Sequence, residues 1–206
     1  MSRFDEEAKT WDTPESQERA EQIASAIRSE VTLSKNMTAF EYGCGTGQLS
    51  FELRDHLKSI TLADNSSGML DVLKDKIEKN SATTMKPVQM DLTRDPLPDQ
   101  RFDLVYTAMT LHHIPDTDEI LKKFNQLLNP GGILCIADLD KEDGSFHGHE
   151  VDDVHKGFER EELKNRAEKL GFSNITFTTA YQMEREIDDE GTTKMFPIFL
   201  MKARKL

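Results

Sequence analysis

Apolar positions in the first third of the chain switch between two spacings. After Thr13-Pro14, an N-cap residue followed by a proline suited to a first turn, Ala20, Ile23, Ala24, Ile27 and Val31 recur at helical intervals. Met37 to Tyr42 is instead an apolar run of strand length. Leu49, Leu53 and Leu57 then resume the helical repeat. Ile60 to Ala63 reads as a second short strand, ending in Asp64. Met69, Leu70, Leu73 and Ile77 place one apolar face on the helix behind it. This alternation of strand and helix predicts a parallel sheet with helices on both faces. Ile133 to Leu139 continues the strand series. Residues 140–158 break it: an acidic segment with glycines at 144, 148 and 157. Arg160 to Leu170 reads as a helix with Leu163, Ala167 and Leu170 inward, stopped by Gly171. Asn174 to Glu186 and Thr193 to Lys202 are extended stretches about Asp188-Asp189-Glu190-Gly191, which predicts a hairpin. Pro197 inside the last strand predicts an edge or a bulge there.

The chain has 206 residues, 36% of them hydrophobic, enough for one domain with a real core. The expected division is an N-terminal arm and helix (1–36), a core (37–139), a loop over the site (140–158), and a C-terminal helix and hairpin (159–206). A formal net charge of −12 argues against nucleic acid and against docking on an anionic membrane. No run approaches the length of a membrane span. The acidic start, Met1-Ser2-Arg3-Phe4-Asp5-Glu6-Glu7, lacks an apolar signal region, so a cytoplasmic protein is expected. Cys44 and Cys135 sit on or beside predicted interior strands; they read as two reduced buried thiols rather than a disulfide.

Candidate chemistry begins at Phe40-Glu41-Tyr42-Gly43-Cys44-Gly45-Thr46-Gly47-Gln48. Strand, tight turn and helix follow one another there, with glycine at every second turn position. Bare backbone lets a ligand approach closely, and the helix start offers N–H groups to an anionic group. Dinucleotide enzymes use G-x-G-x-x-G, whereas the spacing here is G-x-G-x-G, which disfavours a nicotinamide-linked oxidoreductase. Asp64, at the end of the second strand, can receive two ribose hydroxyls; it can equally cap the next helix or be solvated.

The loop, with Glu41 as its acidic lead, resembles motif I of the class I S-adenosylmethionine-dependent methyltransferases. Asp64-Asn65-Ser66-Ser67-Gly68-Met69-Leu70 resembles the family's D-x-S-x-x-M-L stretch, and Val88-Gln89-Met90-Asp91-Leu92 its third-strand motif. Phe102-Asp103-Leu104-Val105-Tyr106-Thr107-Ala108-Met109 resembles the fourth strand, and Leu111-His112-His113-Ile114 the segment after it. Leu127 to Leu134, with Asn129-Pro130-Gly131-Gly132, resembles the turn into the fifth strand. The resemblance covers residues 37 to 139 in order. It implies a Rossmann-like α/β fold: a seven-stranded, mostly parallel sheet with an antiparallel C-terminal strand. It implies S-adenosyl-L-methionine as cofactor, touched by Glu41, Gly43, Cys44, Gly45, Gly47, Asp64, Asn65, Met69, Asp91, Leu92, Thr107 and His112. Phe4-Asp5 and Ala8-Lys9-Thr10-Trp11-Asp12 resemble the family's N-terminal arm, which folds over the cofactor. Trp11 is then either a lid on the cofactor or an aromatic anchor for the arm.

Five of the six histidines fall in two segments beyond strand ends: His112 and His113, then His147, His149 and His155. His56 is assigned to the surface. Three readings stand. The imidazoles face the acceptor, with His113 and His147 as catalytic candidates. Or His147, His149 and His155 hold a metal with Asp138, Asp140 or Glu150, though no metal is expected. Or the loop is solvated. Gly144-Ser145-Phe146-His147 and His155-Lys156-Gly157-Phe158 suggest a lid on an aromatic acceptor pocket. The functional expectation is methyl transfer to a small molecule. A cofactor-binding module that modulates a partner without turnover is the alternative.

Overall fold

The computed structural model describes residues 3–146, 155–188 and 191–206. A short helix α1 (Arg3–Glu7) opens the arm, and α2 (Pro14–Glu30) follows it. α2 starts where it does because Thr13 and Ser16 bond each other's backbone N–H, at 3.1 and 2.9 Å, with Pro14 needing no donor partner. Its buried face is Ser16, Ala20, Ile23, Ala24 and Ile27.

β1 (Thr38–Tyr42), α3 (Gln48–Leu53), β2 (Ser59–Asp64), α4 (Ser67–Lys79) and β3 (Met85–Gln89) form the first half. β4 (Phe102–Ala108), α5 (Thr117–Leu127), β5 (Leu128–Leu139), α6 (Arg160–Lys169), β6 (Phe172–Glu186) and β7 (Thr193–Lys205) form the second. The sheet order is β3-β2-β1-β4-β5-β7-β6. β7 runs antiparallel to both neighbours, and the other pairings are parallel. The chain leaves β1 toward β2 and β3, then returns to place β4 on β1's other side. The loops after β1 and β4 therefore diverge, opening a crevice at the carboxyl ends of the strands.

Each sheet face carries its own apolar core. One joins α2, α3 and α4 to Leu62, Leu104, Cys135 and Ile198; the other joins α5 and α6 to Phe40, Val105, Ile136 and Phe199. Cys44 and Cys135 are both buried free thiols. Among the described residues, no helix is long and apolar enough to cross a membrane.

Three expectations need correction. Leu57 is buried but lies beyond α3, which tightens into a 3-10 turn at Arg54–His56. The glycine pair Gly131-Gly132 is not a turn before β5 but an irregularity within it. Pairing to β4 jumps from Phe102↔Leu128 to Leu104↔Ile133, with Gly131 at φ +75°. Pro197 does not mark an edge strand, because β7 lies inside the sheet. The bulge sits in its partner, where the register slips between Thr179 and Tyr181, and the Pro197 carbonyl accepts from the Asp140 N–H at 3.0 Å.

Candidate active site

A cavity of about 970 Å³ occupies the crevice. It is bounded by the glycine loop, α2, the ends of β2 and β4, and the arm. Its volume suits a small ligand plus a cofactor-sized one. The three loop glycines serve different ends. A Cβ on Gly43 would sit 2.3 Å from Thr110 Oγ1, and one on Gly47 would sit 2.5 Å from Leu73 Cδ1. Both are glycine because protein packs there, and both hold positive φ, +67° and +79°. Only at Gly45, φ +52°, is the nearest atom the rim of the site, Trp11 Nε1 at 3.6 Å. Gly47 does not line the cavity; it is the N-cap of α3.

Asp64 is nearly buried and braces the loop. Its Oδ2 accepts from the Gly45 N–H at 2.8 Å and its Oδ1 from the Ser66 N–H at 2.9 Å. Burial raises its pKa, opposed by those N–H bonds. The helix-capping role belongs to Ser66, which accepts from the Met69 N–H. Asp91 Oδ1 accepts from the Thr93 N–H and Oγ1 at 2.9 and 2.6 Å, and from the Tyr42 hydroxyl at 3.5 Å. Glu41 is buried at the cavity floor, bonded by the Ser50 hydroxyl, which in turn meets the Tyr106 hydroxyl. Burial pushes Glu41 up to about 8. Burial also raises the Cys44 thiol well above its ordinary value, so it lines the cavity as a neutral group. Asn65, Met69 and Leu92 line the cavity as well. Thr107 does not. Its hydroxyl donates to the Tyr42 carbonyl at 2.8 Å and ties β4 to β1.

The two adjacent histidines differ sharply. Met109, at φ +52°, turns the chain off β4 into a 3-10 turn at Leu111–His113. His112 Nδ1 lies 2.6 Å from Asp138 Oδ1, and the His112 N–H reaches Oδ2 at 3.3 Å. A carboxylate only accepts, so Nδ1 is the donor of this bond. His113 is half-buried and packs edge-on against Phe4, with ring centroids 5.6 Å apart. His112 and His113 both line the cavity, and it is His112 that has the Asp138 carboxylate behind it.

His147, His149 and Glu150 lie outside the described residues. His155 does not face the cavity: its Nε2 lies 2.9 Å from the Ile114 carbonyl. Asp140 is held by Arg160 in a two-pronged pair at 2.7 and 2.6 Å. With Asp138 on His112, these three are committed elsewhere than to a shared metal. Among the described residues no three potential ligands cluster. Of the two lid phenylalanines, Phe146 lines the cavity and Phe158 packs into the α5–α6 core. His56 is exposed, as expected.

The arm is stapled across the site. Asp5 Oδ1 accepts from Ser66 Oγ at 2.7 Å and from the Gly68 N–H at 3.0 Å. Asp12 takes Thr46 Oγ1 at 2.5 Å and Lys76 Nζ at 2.7 Å. Trp11 is thereby set over Gly45 and edge-on to Phe4. Its ring thus anchors the arm beside the glycine loop.

Sequence reasoning missed Arg19, Met183 and Arg185, all on the cavity wall. Signals existed. Arg19 falls at helical spacing between Ser16 and Ile23, on the face α2 buries. Met183 and Arg185 are two apart on β6 and share a face.

Residues 40–136 match the family model described as a methyltransferase domain. An uncharacterized methyltransferase of Schizosaccharomyces pombe is 31% identical over 168 residues, covering 74% of this chain and 59% of that protein. A ubiquinone biosynthesis O-methyltransferase of Coxiella burnetii is 28% identical over 148 residues, 68% of this chain and 62% of that protein. The matched region thus spans about three fifths of these relatives. Among solved structures, Haemonchus contortus phosphoethanolamine N-methyltransferase 2, in complex with S-adenosyl-L-methionine, superposes with a TM-score of 0.74 at 17% identity, covering 100% of this chain and 60% of that one. The YcgJ protein of Bacillus subtilis gives 0.73 at 11%, covering 89% and 98%. Residues 40–136 thus match a methyltransferase domain, and the chain shares the fold of the solved structures named above.

Proposed function

We propose that this protein transfers a methyl group from S-adenosylmethionine to a small-molecule acceptor. The observation that carries the reading is one cavity lined by Gly45, Asp64, Asp91 and His112, with Asp138 buried behind the imidazole. The cradle fits the nucleoside chemically. An ionised carboxylate has about four acceptor positions. The two N–H groups on Asp64 leave room for ribose hydroxyls. Asp91 is placed to receive an exocyclic amino group, with Met69 and Leu92 as apolar flanks for a base. Trp11 closes the loop side and excludes water. The relatives named above include an O-methyltransferase and an enzyme solved with this cofactor, which supports the reading.

S-adenosylmethionine supplies a methyl group already activated by its sulfonium. The residues therefore align and desolvate rather than generate an electrophile. Alignment is worth about 7–11 kcal/mol when reacting atoms are held in near-attack geometry. His112, oriented by Asp138, takes the acceptor's proton, a contribution of about 10²–10⁴ for an oxygen or nitrogen acceptor. The lid role of residues 144–149 rests here on Phe146 alone, since 147–149 lie outside the described residues.

The test is calorimetry with S-adenosylmethionine and S-adenosylhomocysteine, then an acceptor screen that reads S-adenosylhomocysteine. Absence of binding at millimolar nucleoside would remove the reading. Binding without turnover across acceptor classes, with a stable protein partner, would favour the modulating module.

A further inference from the structure

Three arginines line the cavity of a chain whose formal net charge is −12; Arg94 pairs with Asp91 at 3.7 Å, which leaves Arg19 and Arg185. Arg19 comes from α2 and Arg185 from the far end of β6. Among the described residues neither guanidinium has a carboxylate within 4.0 Å. Glu15, one turn before Arg19, is close enough to act on it electrostatically but not to pair. The Arg185 guanidinium stands 4.7 Å over the Phe146 ring. Phe146 in turn lies edge-on to His112, with ring centroids 6.3 Å apart. A single phenyl ring thus separates the guanidinium from the imidazole. Met183, buried, continues the apolar wall.

We infer that the methyl acceptor is an organic anion, its carboxylate or phosphate seated at Arg19 and Arg185, its carbon frame on Phe146 and Met183, and its nucleophile at His112. The inference rests on the methyl-transfer reading of the cavity and narrows it to a substrate class. Guanidinium groups offer paired donors that match both oxyanions, and they stay charged when partly buried. Arg19's pKa is lowered, first by burial; Glu15 and Tyr181 oppose this, while Arg185 acts in the same direction as burial. A bound anion offsets the desolvation of Arg19 and its repulsion from Arg185. The aromatic ring between the two ends sets the span to that of a small aromatic or similarly sized acid.

Calorimetry on the full chain loaded with S-adenosylhomocysteine tests this, using benzoate and phenyl phosphate against benzamide and benzyl alcohol. The two anions should bind about tenfold or more tighter than the neutral probes, as charge-assisted bonds imply. Arg185→Gln and Arg19→Gln should each abolish the preference, and Arg185→Lys should keep part of it. S-adenosylhomocysteine binding by the same variants shows that they are folded. Equal binding of neutral and anionic probes, no anion binding at millimolar concentration, or full preference in Arg185→Gln would overturn the inference. Loss of S-adenosylhomocysteine binding in Arg19→Gln with benzoate affinity intact would overturn the two-arginine seat. Failure of the unmodified protein to bind S-adenosylhomocysteine would instead overturn the methyl-transfer reading beneath it.

Discussion

The imidazole of His112 and the carboxylate of Asp138 meet at 2.6 Å, with neither side chain more than 1% exposed. Asp138 is further fixed by the Leu139 N–H at 2.8 Å, so the carboxylate is held by backbone on β5 and the ring by the turn after β4. The pair spans two neighbouring strands at their carboxyl ends, where the chemistry of this fold class sits.

If His112 is the proton acceptor, Asp138→Asn removes the group that fixes its tautomer and leaves the cavity shape. Turnover should fall by about 10²-fold, within the range of general-base effects, while S-adenosylhomocysteine affinity stays nearly constant. His112→Ala should cost at least as much, and His113→Ala clearly less. Steady-state kinetics beside calorimetry checks this; a larger loss at His113 would return the role to the other ring.

The loop glycines should separate by readout. Gly43→Ala and Gly47→Ala each force a left-handed alanine, at about 1–2 kcal/mol. Each also drives a methyl into Thr110 or Leu73, for about 1–3 kcal/mol more. Both should lower the denaturation midpoint strongly. Gly45→Ala meets no protein atom closer than 3.6 Å, so its stability loss is confined to the conformational part. Its nucleoside affinity should fall most of the three, because its methyl points into the cradle. Denaturant melts paired with nucleoside titrations resolve the two effects.

These distinctions mark where sequence stops being readable. The glycine loop, Asp64 and the alternating elements are local signals, carried by spacing within a dozen residues. The purpose of each glycine is not, because Thr110 and Leu73 arrive from other elements. Nor does spacing separate His112 from His113. A 3-10 turn rotates adjacent side chains about 120° apart, and only the position of Asp138 decides which ring meets that carboxylate. Thr107 reads as a site residue by motif, yet its hydroxyl is spent on the Tyr42 carbonyl. Arg19 and Arg185 lie near opposite ends of the chain, and only tertiary structure joins them.

Trp11 is the sole tryptophan, which makes arm closure directly observable. Its emission should change when nucleoside fills the cavity beside Gly45. Asp12→Ala removes the bonds to Thr46 and Lys76, and both partners of the ion pair are partly exposed. Such pairs contribute about 0.2–1 kcal/mol, so nucleoside affinity should weaken a few-fold, with little change in melting. An unaltered emission on saturation would show that the arm does not sense the ligand.

Glu41 makes the sharpest pH prediction. Its pKa rises from 4.5 to about 8, first because it is desolvated, against a smaller opposing effect of the Ser50 hydroxyl. The folded chain therefore holds this proton where the unfolded chain has lost it. The Glu41 contribution is fully favourable below about 4.5, declines as pH rises toward 8, and is constant above. Glu41→Gln mimics the protonated form and should flatten that decline, so that the variant gains on the native chain as pH rises through the window. Ligand binding carries the opposite sign. A cationic sulfonium nucleoside entering the cavity favours ionised Glu41, so binding near neutral pH should release a proton and affinity should rise toward pH 8. Calorimetry in buffers of different ionisation enthalpy measures that release. It should vanish in Glu41→Gln, and a release that survives the substitution would assign the proton to another group.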